Sequence, residues 1–244
     1  MNKIAIIIPS RLEAKRLPGK PLKLINNKEM IIHVYETAMA SKVGDVYVAT
    51  PNQEIIEIIK NYGGNAVKTS EKHQTGTDRV YEVFKDTLKS ETDIIINLQG
   101  DMPNLNSDSI YNLVKYMKNN ECDIGTLASE LTSKSDVNNL NIVKVVVKEK
   151  LSENNFLEAV DFSRKNIDSK YHTYHHVGIY AYTSQALIKY VNLKRSKLEL
   201  ERKLEQLRAL ENNMSIRVGH LNSHPLSVDT EEDLIEIKKL MENK

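Results

Sequence analysis

IAIIIPSRLEAKRLPGKPL, residues 4–22, begins with five apolar residues and continues into a loop rich in cations and prolines. The apolar run at 4–8 is typical of a strand that is buried on both faces. The cations of the loop are Arg11, Lys15, Arg16 and Lys20. Like charges this close together repel one another, so the segment is either a solvated loop or a binding site for an anion. Its position directly after a buried strand favours the anion site.

The rest of the first half alternates short apolar runs with helical periodicity. Runs rich in Ile and Val predict strands, and apolar positions repeating every three or four residues predict helices. We expect strands over 4–8, 46–49, 94–98 and 142–147, and helices over 29–41, 53–62 (closed by Gly63-Gly64) and 78–88. This alternation indicates an α/β fold with a mostly parallel sheet that is covered by helices on both faces.

From about residue 120 the pattern changes. Apolar runs at 123–131, 142–148 and 177–182 are separated by polar stretches, which predicts antiparallel strands added to the parallel core. Leucines at three- and four-residue spacing predict one helix over 197–211, and a last helix is expected over 231–242.

Composition excludes several classes of protein. The 244 residues carry 34 Lys and Arg against 33 Asp and Glu, a net charge of +1, so no overall field selects nucleic acid or an anionic membrane. The single cysteine, Cys122, excludes a disulfide within the chain and fits a reducing compartment. The apolar run near the N-terminus is too short for a signal peptide or a membrane span. We therefore expect a soluble, cytoplasmic protein.

The basic loop fits neither of two familiar phosphate-binding motifs. A P-loop requires G-x-x-x-x-G-K-[ST], but Pro21 follows Gly19-Lys20 and position 14 is Ala. The G-x-G-x-x-G fingerprint is absent, since Gly19 is the only glycine of the loop. A phosphate at this position would be held by the side chains of Arg11, Arg16 and Lys20 together with loop amides.

Two carboxylates follow apolar stretches far apart in the chain. INLQGDMPN (96–104) places Asp101 after a predicted strand, where it either ligates a divalent cation or makes a turn that caps the next helix. In PLSVDTEEDL (225–234), Thr230 and Asp233 suit the N-cap and N3 positions of a capping box, which leaves Asp229 for another role. One or two carboxylates plus phosphate oxygens are a common magnesium site. Asp101 and Asp229 offer that arrangement.

A further loop, HQTGTDR (73–79), offers groups for a nucleotide. Gln74, Thr75, Thr77 and the backbone at Gly76 can hydrogen-bond the edge of a base, although Thr77 is equally suited to cap the following helix. Arg79 would lie in the first turn of that helix, where a cation is unfavourable unless an anion is bound nearby.

The second half contains DFSR (161–164), HHVGIYAY (175–182) and LEQLR (204–208). His175 and His176 would point to opposite faces of a strand, and no H-E-x-x-H motif accompanies them, so a zinc site is disfavoured. Glu205 and Gln206 lie off the leucine stripe and would face either a cleft or solvent, with solvent as the default.

Taken together, the motifs RLPGKPL, HQTGTDR, NLQGD, FSR, HHVGIYAY, LEQLR and VDTEEDL resemble the 3-deoxy-manno-octulosonate (KDO) cytidylyltransferase, or CMP-KDO synthetase, family, in that family's order from about Ile4 to Leu240. The resemblance implies a Rossmann-like nucleotidyltransferase fold in one domain, usually a homodimer. It also implies transfer of CMP from CTP to KDO with release of pyrophosphate, dependent on Mg²⁺ and serving lipopolysaccharide biosynthesis. Within that domain, the nucleotide would be bound by residues 1–120, and the sugar acid by residues 121–225, which would also form the dimer contact. Residues 226–244 would contain the returning loop with Asp229 and the last helix.

The resemblance also implies roles for individual residues. The triphosphate would be bound by Arg11, Arg16 and Lys20. The cytidine and its phosphates would be bound by Thr75, Gly76, Thr77 and Arg79. Asp101 and Asp229 would ligate Mg²⁺ and, with Arg11 and Lys20, form the catalytic set. The sugar acid would be bound by Gln99, Arg164, His176, Tyr180, Glu205 and Gln206.

The chain departs from the family pattern at three places, two of them in the half assigned to the sugar acid. Met102 stands where the family often has Glu, and Asp161 stands where Tyr commonly precedes FSR. An Ile-Pro pair often follows FSR, whereas here residues 165–168 read KNID. A KDO variant such as 8-amino-KDO, another sugar acid, or a nucleotide-binding relative without activity therefore stay open as alternatives.

Overall fold

The computed structural model describes residues 3–14, 16–167 and 170–242, so Lys15 and Asp168 lie outside the described residues. The chain divides into two compact units. Unit 1 comprises the residues up to Tyr111 together with those from Pro225 onward, and unit 2 comprises Asn112–His224.

Unit 1 is built on a parallel sheet. Its strands are β1 (Ile4–Pro9), β2 (Leu24–Ile25), β3 (Lys28–Glu29), β4 (Asp45–Thr50), β5 (Asn65–Lys68) and β6 (Ile94–Leu98). The sheet order is β5-β4-β1-β6, and all of these pairs are parallel, while β2 and β3 form a separate antiparallel pair. β1 is central and consists almost entirely of buried residues, as its continuous apolar run predicted.

The helices that alternate with these strands are α1 (Met30–Ala40), α2 (Gln53–Asn61), α3 (Gly76–Glu82) and α4 (Ser107–Asn119), the last of which crosses from unit 1 into unit 2. A π-helical turn, Val83–Thr87, continues α3. The predicted strands at 4–8, 46–49 and 94–98 and the predicted helices at 29–41, 53–62 and 78–88 are confirmed to within a few residues.

Unit 2 contains β7 (Ile124–Ser129), α5 (Lys134–Asn138), β8 (Lys144–Val147), β9 (Phe156–Ser163), β10 (His172–Thr183), α6 (Ser184–Asn192), α7 (Lys197–Arg202), α8 (Gln206–Glu211) and β11 (Ile216–His220). The strand order is β10-β7-β11-β9-β8, and β8 also pairs with β10, so the five strands form a closed ring. The β7–β11 pair is parallel, and the pairs β7–β10, β8–β10, β9–β11 and β8–β9 are antiparallel. The prediction of antiparallel strands after residue 120 is confirmed.

The last helix, α9 (Glu231–Glu242), returns to unit 1 and has the predicted bounds. Its buried Leu234 and Ile237 join a cluster with Leu17, Ile25 and Met30. Val228 belongs to the same cluster, so the chain on both sides of Asp229 packs against the basic loop and the segment after it. Within the described part of the chain, no helix combines the length and apolar character needed to cross a membrane.

The prediction of a single helix over 197–211 is wrong. α7 ends at Arg202, Lys203 has a left-handed backbone (φ 56°), and α8 begins at Gln206. The leucine spacing misled the prediction because Leu204 and Leu207 are buried on the far side of the break, in the positions that a continuous helix would also bury. Leu200, by contrast, is 53% exposed.

Candidate active site

The loops of unit 1 that carry the candidate residues meet because their strands are neighbours. β1 and β6 are adjacent and parallel, with Ile7 opposite Asn97, so their carboxyl ends lie at the same edge of the sheet. Polar segments that follow neighbouring parallel strands form the usual ligand site of an open α/β sheet. Here they are the basic loop after β1 and the Gln99-Gly100-Asp101 segment after β6.

The basic loop is closed by a turn at Gly19. Gly19 has φ 67°, a left-handed conformation that glycine adopts at no steric cost, and its N–H donates to the carbonyl of Leu12 at 3.0 Å. A 3₁₀ turn, Lys20–Leu22, starts directly afterwards. Leu17 anchors the loop to the core of unit 1, since its side chain is buried. The backbone of the loop therefore sets the direction from which Lys20 enters the site.

The Lys20 ammonium joins the two carboxylates that the sequence singled out. Nζ donates to Asp101 Oδ2 at 2.9 Å and to Asp229 Oδ1 at 3.1 Å. Burial of the side chain disfavours the charged form, but the charges of Asp101 and Asp229 outweigh this, so the pKa of Lys20 lies above its usual value. Asp101 and Asp229, 128 positions apart in sequence, thus converge on one cation.

The other loop cations lie further out. The Arg16 guanidinium donates to Asp229 Oδ2 at 2.7 Å, and its side chain is 51% exposed. Arg11, two residues after the end of β1, is exposed. The structure therefore brings Arg16 and Lys20 together around Asp229 and shows Arg11 only as an exposed residue of the same loop.

Backbone contacts and a helix cap place Asp229 opposite Asp101. The N–H of Val228 donates to the carbonyl of Asp101 at 2.9 Å, which ties the two segments directly. The N–H of Thr230 donates to the Asp233 carboxylate, and the N–H of Asp233 donates to the Thr230 hydroxyl. The predicted capping box is confirmed, and the Asp229 carboxylate points to Lys20 and Arg16 instead.

The alternative role for Asp101, a cap on the next helix, is wrong. The side-chain oxygen of Asn106 accepts from the N–H of Asp108 at 2.9 Å and so caps the start of α4. The Asp101 carboxylate instead accepts from Lys20. Met102, where the family pattern often has an acid, is buried in the core.

The carboxylate pair fits a magnesium ion. Asp101 and Asp229 each place one carboxylate oxygen within 3.1 Å of the same ammonium nitrogen. Mg²⁺ prefers oxygen ligands of this kind, with phosphates supplying others. Among the described residues, no cluster of three or more His, Cys, Asp or Glu side chains could hold a metal ion by itself. A metal at Asp101 and Asp229 would complete its coordination with water and with oxygens of a bound substrate.

The loop at 73–79 is organised differently from the sequence expectation. Thr75, not Thr77, is the N-cap of α3, with its hydroxyl accepting from the N–H of Asp78 at 3.1 Å. Thr77 is buried and accepts from the Asn97 amide at 3.4 Å, while Asn97 also accepts from the Gln99 amide at 3.0 Å. This chain of amides links the loop after β6 to the start of α3. Gly76 lies against it, with Gln99 as a neighbour.

An external anion is not needed to explain the placement of Arg79. α3 starts at Gly76 and continues into the π-helical turn, so Arg79 is the fourth residue of the helical segment and not the second. The guanidinium is buried and donates to the Thr69 hydroxyl and to the carbonyl of Ser70. Burial, followed by the charge of Arg11, lowers the pKa of Arg79 from its usual value. A role in binding phosphate stays a prediction.

In unit 2, three aromatic side chains lie in succession. The Phe162 ring meets the His176 ring edge-on with centroids 5.2 Å apart, and the His176 and Tyr180 rings are 5.3 Å apart. Burial raises the pKa of Tyr180 well above its usual value; the charges of Tyr182 and Glu205 add to this and that of Arg164 opposes it. Tyr180 thus lies near enough to His176, Glu205 and Arg164 to interact with each of them.

Thr126 sets the tautomer of His176, and burial keeps the imidazole neutral. The Thr126 hydroxyl lies 2.7 Å from the carbonyl of Ile179 and 3.0 Å from His176 Nε2. Both contacts are satisfied when the hydroxyl donates to Ile179 and accepts from Nε2–H, which leaves Nδ1 as an acceptor. Burial lowers the pKa of His176 to about 3, so it is uncharged at neutral pH.

Two of the remaining sugar-acid candidates, Arg164 and Glu205, take part in hydrogen bonds to backbone carbonyls of unit 2. Arg164 donates to the carbonyl of Asn141 at 2.8 Å, and the carbonyl of Glu205 accepts from the Tyr190 hydroxyl at 2.9 Å. Gln206 is only 7% exposed, so the default expectation of a solvent-facing side chain is wrong for it. The structure brings Tyr180 near Glu205 and Arg164, while the Arg164 guanidinium is turned toward 140–141.

Several residues that shape these sites were missed from the sequence, among them Thr126, Asn97, Tyr190 and Arg202. Each acts through a partner that is distant along the chain, as Thr126 does with His176, 50 positions away. A polar residue inside an apolar strand is the one available signal: Asn97 and Thr126 both interrupt such runs and are both buried with hydrogen bonds.

Comparison with known proteins extends these observations. The model of the family described as cytidylyltransferase matches residues 5–216. A 3-deoxy-manno-octulosonate cytidylyltransferase from Bartonella bacilliformis is 40% identical over 238 residues, covering 97% of each chain. A relative from Thermodesulfovibrio yellowstonii with the same name is also 40% identical, over 93% of this chain and 94% of its own.

Solved structures agree. CMP:2-keto-3-deoxy-manno-octonic acid synthetase, solved in complex with CTP, matches with a TM-score of 0.89 at 35% identity and covers 99% of both chains. The expected Rossmann-like α/β nucleotidyltransferase fold is therefore confirmed. With this coverage and identity, the chain belongs to the cytidylyltransferase family, among the 3-deoxy-manno-octulosonate cytidylyltransferases.

Proposed function

We propose that this chain transfers CMP from CTP to the anomeric hydroxyl of KDO, giving CMP-KDO and pyrophosphate for lipopolysaccharide biosynthesis, and that the reaction depends on Mg²⁺. The names of its relatives support the substrates, and one relative was solved with CTP. The observation in the chain itself that carries the proposal is the convergence of Asp101 and Asp229 on Lys20, at the strand edge where the basic loop ends.

The proposed reaction is a direct displacement without a covalent enzyme intermediate. The anomeric oxygen forms a bond to the α-phosphorus of CTP, the bond from that phosphorus to the bridging oxygen breaks, and pyrophosphate leaves with the electron pair. The hydroxyl proton passes to water. Phosphoryl transfer of this kind needs positioning and charge neutralisation more than covalent chemistry.

The cationic loop supplies part of that neutralisation. Lys20 and Arg16 are paired with aspartates in this structure, and both side chains are within reach of a ligand at the same edge of the sheet. When phosphates bind, these cations and Arg11 would turn from carboxylates to phosphate oxygens and stabilise the leaving pyrophosphate. Mg²⁺, held by Asp101 and Asp229 with phosphate oxygens, would neutralise further charge on the triphosphate. Thr75, Gly76, Thr77 and Arg79 would bind the cytidine portion.

For the sugar acid we propose Gln99, Arg164, His176, Tyr180, Glu205 and Gln206. The neutral His176 and the protonated Tyr180 suit hydroxyl groups, because each can make hydrogen bonds without the cost of burying a charge. The Arg164 guanidinium suits the carboxylate, provided it exchanges its present carbonyl partners for the ligand.

We further propose a cytoplasmic homodimer. Exposed apolar side chains on unit 2 support a surface of association, among them Leu140, Val160, Ile188 and Leu200. The single cysteine supports a reducing compartment. Light scattering after size exclusion tests the dimer: a mass near 27.8 kDa, that of one chain, would refute it.

The function is tested by pyrophosphate release from the purified chain with CTP, Mg²⁺ and KDO. We expect turnover with this set, and little with the other nucleoside triphosphates. Parallel reactions with 8-amino-KDO and sialic acid identify the acceptor, and reactions in EDTA test the metal. Absence of pyrophosphate release with every sugar acid, while CTP still binds, would show a nucleotide-binding protein without this activity.

A further inference from the structure

Asp161, which stands where the family pattern has Tyr, forms an ion pair within unit 2. The Arg202 guanidinium nitrogen Nη1 donates to Asp161 Oδ1 at 2.8 Å and to Oδ2 at 2.9 Å. The same nitrogen donates to the carbonyl of Phe162 at 2.9 Å. Arg202 therefore binds both a side chain and the backbone at the end of β9.

The two partners lie in the two segments that carry sugar-acid residues. Phe162 is two positions before Arg164, and its ring packs on His176. Arg202 ends α7 and is three positions before Glu205 and four before Gln206. One guanidinium thus joins the FSR segment to the Glu205–Gln206 turn.

The turn needs such support. Lys203, directly after Arg202, has φ 56°, a conformation that is disfavoured for a residue with a side chain unless its surroundings hold it. On the far side, the Tyr190 hydroxyl donates to the carbonyl of Glu205 at 2.9 Å. The turn is consequently fixed at both ends, by Arg202 before it and by Tyr190 after it.

Stability alone gives a weak reason for this pair. Its side chains are 32% and 30% exposed, and ion pairs at this exposure contribute little to the free energy of unfolding. We propose that Asp161 and Arg202 form a positioning pair, which holds the segment bearing Arg164 at the correct distance from Glu205 and Gln206 for the sugar acid. The inference rests on the proposed function, since those three residues are the proposed sugar-acid ligands.

The test compares the KM for KDO with the KM for CTP in Asp161→Asn and Arg202→Gln. Each variant should raise the KM for KDO about tenfold and leave the KM for CTP within about twofold of wild type. Because both substitutions break one ion pair, the double variant should be no worse than Arg202→Gln alone. Arg202→Lys retains the charge and should recover part of the loss.

The matched control is Glu36→Gln, which breaks the Lys28–Glu36 pair of similar exposure in unit 1 and should leave both KM values unchanged. Near-UV circular dichroism establishes whether each variant is folded. If Asp161→Asn is not folded, the test is made with Arg202→Gln alone. Equal changes in both KM values, or additive effects in the double variant, would overturn the positioning role. If wild type converts KDO and the variants have the same KM for KDO, the positioning role is refuted and the proposed function stands. If wild type neither binds nor converts any sugar acid, the proposed function is refuted as well.

Discussion

At the scale of single residues, the site of unit 1 is a balance of two acids and two cations. Lys20 bonds both Asp101 and Asp229, and Arg16 bonds Asp229. Each aspartate therefore has a cationic partner, which avoids leaving two facing carboxylates without compensation. Asp101 and Asp229 surround one cation in this way, and the proposed magnesium site needs the same two carboxylates around a metal ion.

Asp101→Asn tests that arrangement most directly. An amide cannot supply the negative charge that holds Mg²⁺, so we expect pyrophosphate release to fall at least ~10²-fold. Calorimetric titration of Mg²⁺ in the presence of CTP should show weaker metal binding than in wild type. The result that would contradict the metal assignment is near-normal turnover in a folded variant.

Asp108→Asn is the matched control for this substitution. Asp108 is an exposed acid in the first turn of α4, in the same segment of the chain but away from Lys20. Its replacement loses only a favourable contact with the helix dipole, a change of well under about 1 kcal/mol in stability. Turnover of this variant should equal that of wild type.

At the scale of elements, a helix cap made by nearby residues could be predicted from the sequence, whereas a helix end that depends on tertiary contacts could not. Thr230 and Asp233 cap α9 as expected, because a capping box needs only residues three positions apart. The break between α7 and α8 was missed, since it depends on contacts from distant elements, Arg202 with Asp161 and Tyr190 with the Glu205 carbonyl. The spacing of the leucines contains no information about either contact.

α7 and α8 are joined by the buried Glu199–Arg208 ion pair, from which a second prediction follows. Arg208 donates to both oxygens of Glu199, at 2.7 and 2.8 Å, and its guanidinium lies 4.6 Å from the centre of the Tyr190 ring. Burial opposes the charge of Glu199, but Arg208 and Arg195 outweigh it, so the pKa of Glu199 lies below its usual value. Arg208→Met would leave that buried carboxylate with the Ser196 N–H and, as a cation, the more exposed Arg195.

We expect Arg208→Met to lower the free energy of unfolding by about 3 kcal/mol, because one partner of a buried pair is left behind. Urea denaturation measures this, and Lys28→Met, at the more exposed Lys28–Glu36 pair, should cost under about 1 kcal/mol. If the two variants lose equal stability, the burial of the Glu199–Arg208 pair has no energetic consequence.

At the scale of the whole molecule, the sequence predicts the parallel half of the fold better than the rest. Strand–helix alternation fixes β1, β4 and β6 through neighbours in the chain, whereas the ring of unit 2 closes through β8 and β10, with His172 opposite Val147. For the site, strand ends identified Lys20 and Asp101. The residues that orient His176 and Glu205 required distant partners that no local pattern specifies.

The acid sensitivity of the whole fold provides a last prediction, because buried His176 has a pKa of about 3 in the folded chain and about 6.5 when unfolded. Between these values the unfolded chain binds a proton that the folded chain does not, so stability falls as pH falls below about 6.5. From pH 7 to pH 5 this one histidine should remove ~2 kcal/mol from the free energy of unfolding.

Urea denaturation at both pH values tests this: the loss of unfolding free energy between pH 7 and pH 5 should be smaller by that amount in His176→Gln than in wild type. His172→Gln, which replaces an exposed histidine of the same strand, is the matched control and should retain the wild-type loss. Equal losses in wild type and His176→Gln would mean that the buried imidazole does not set the acid limit of this fold.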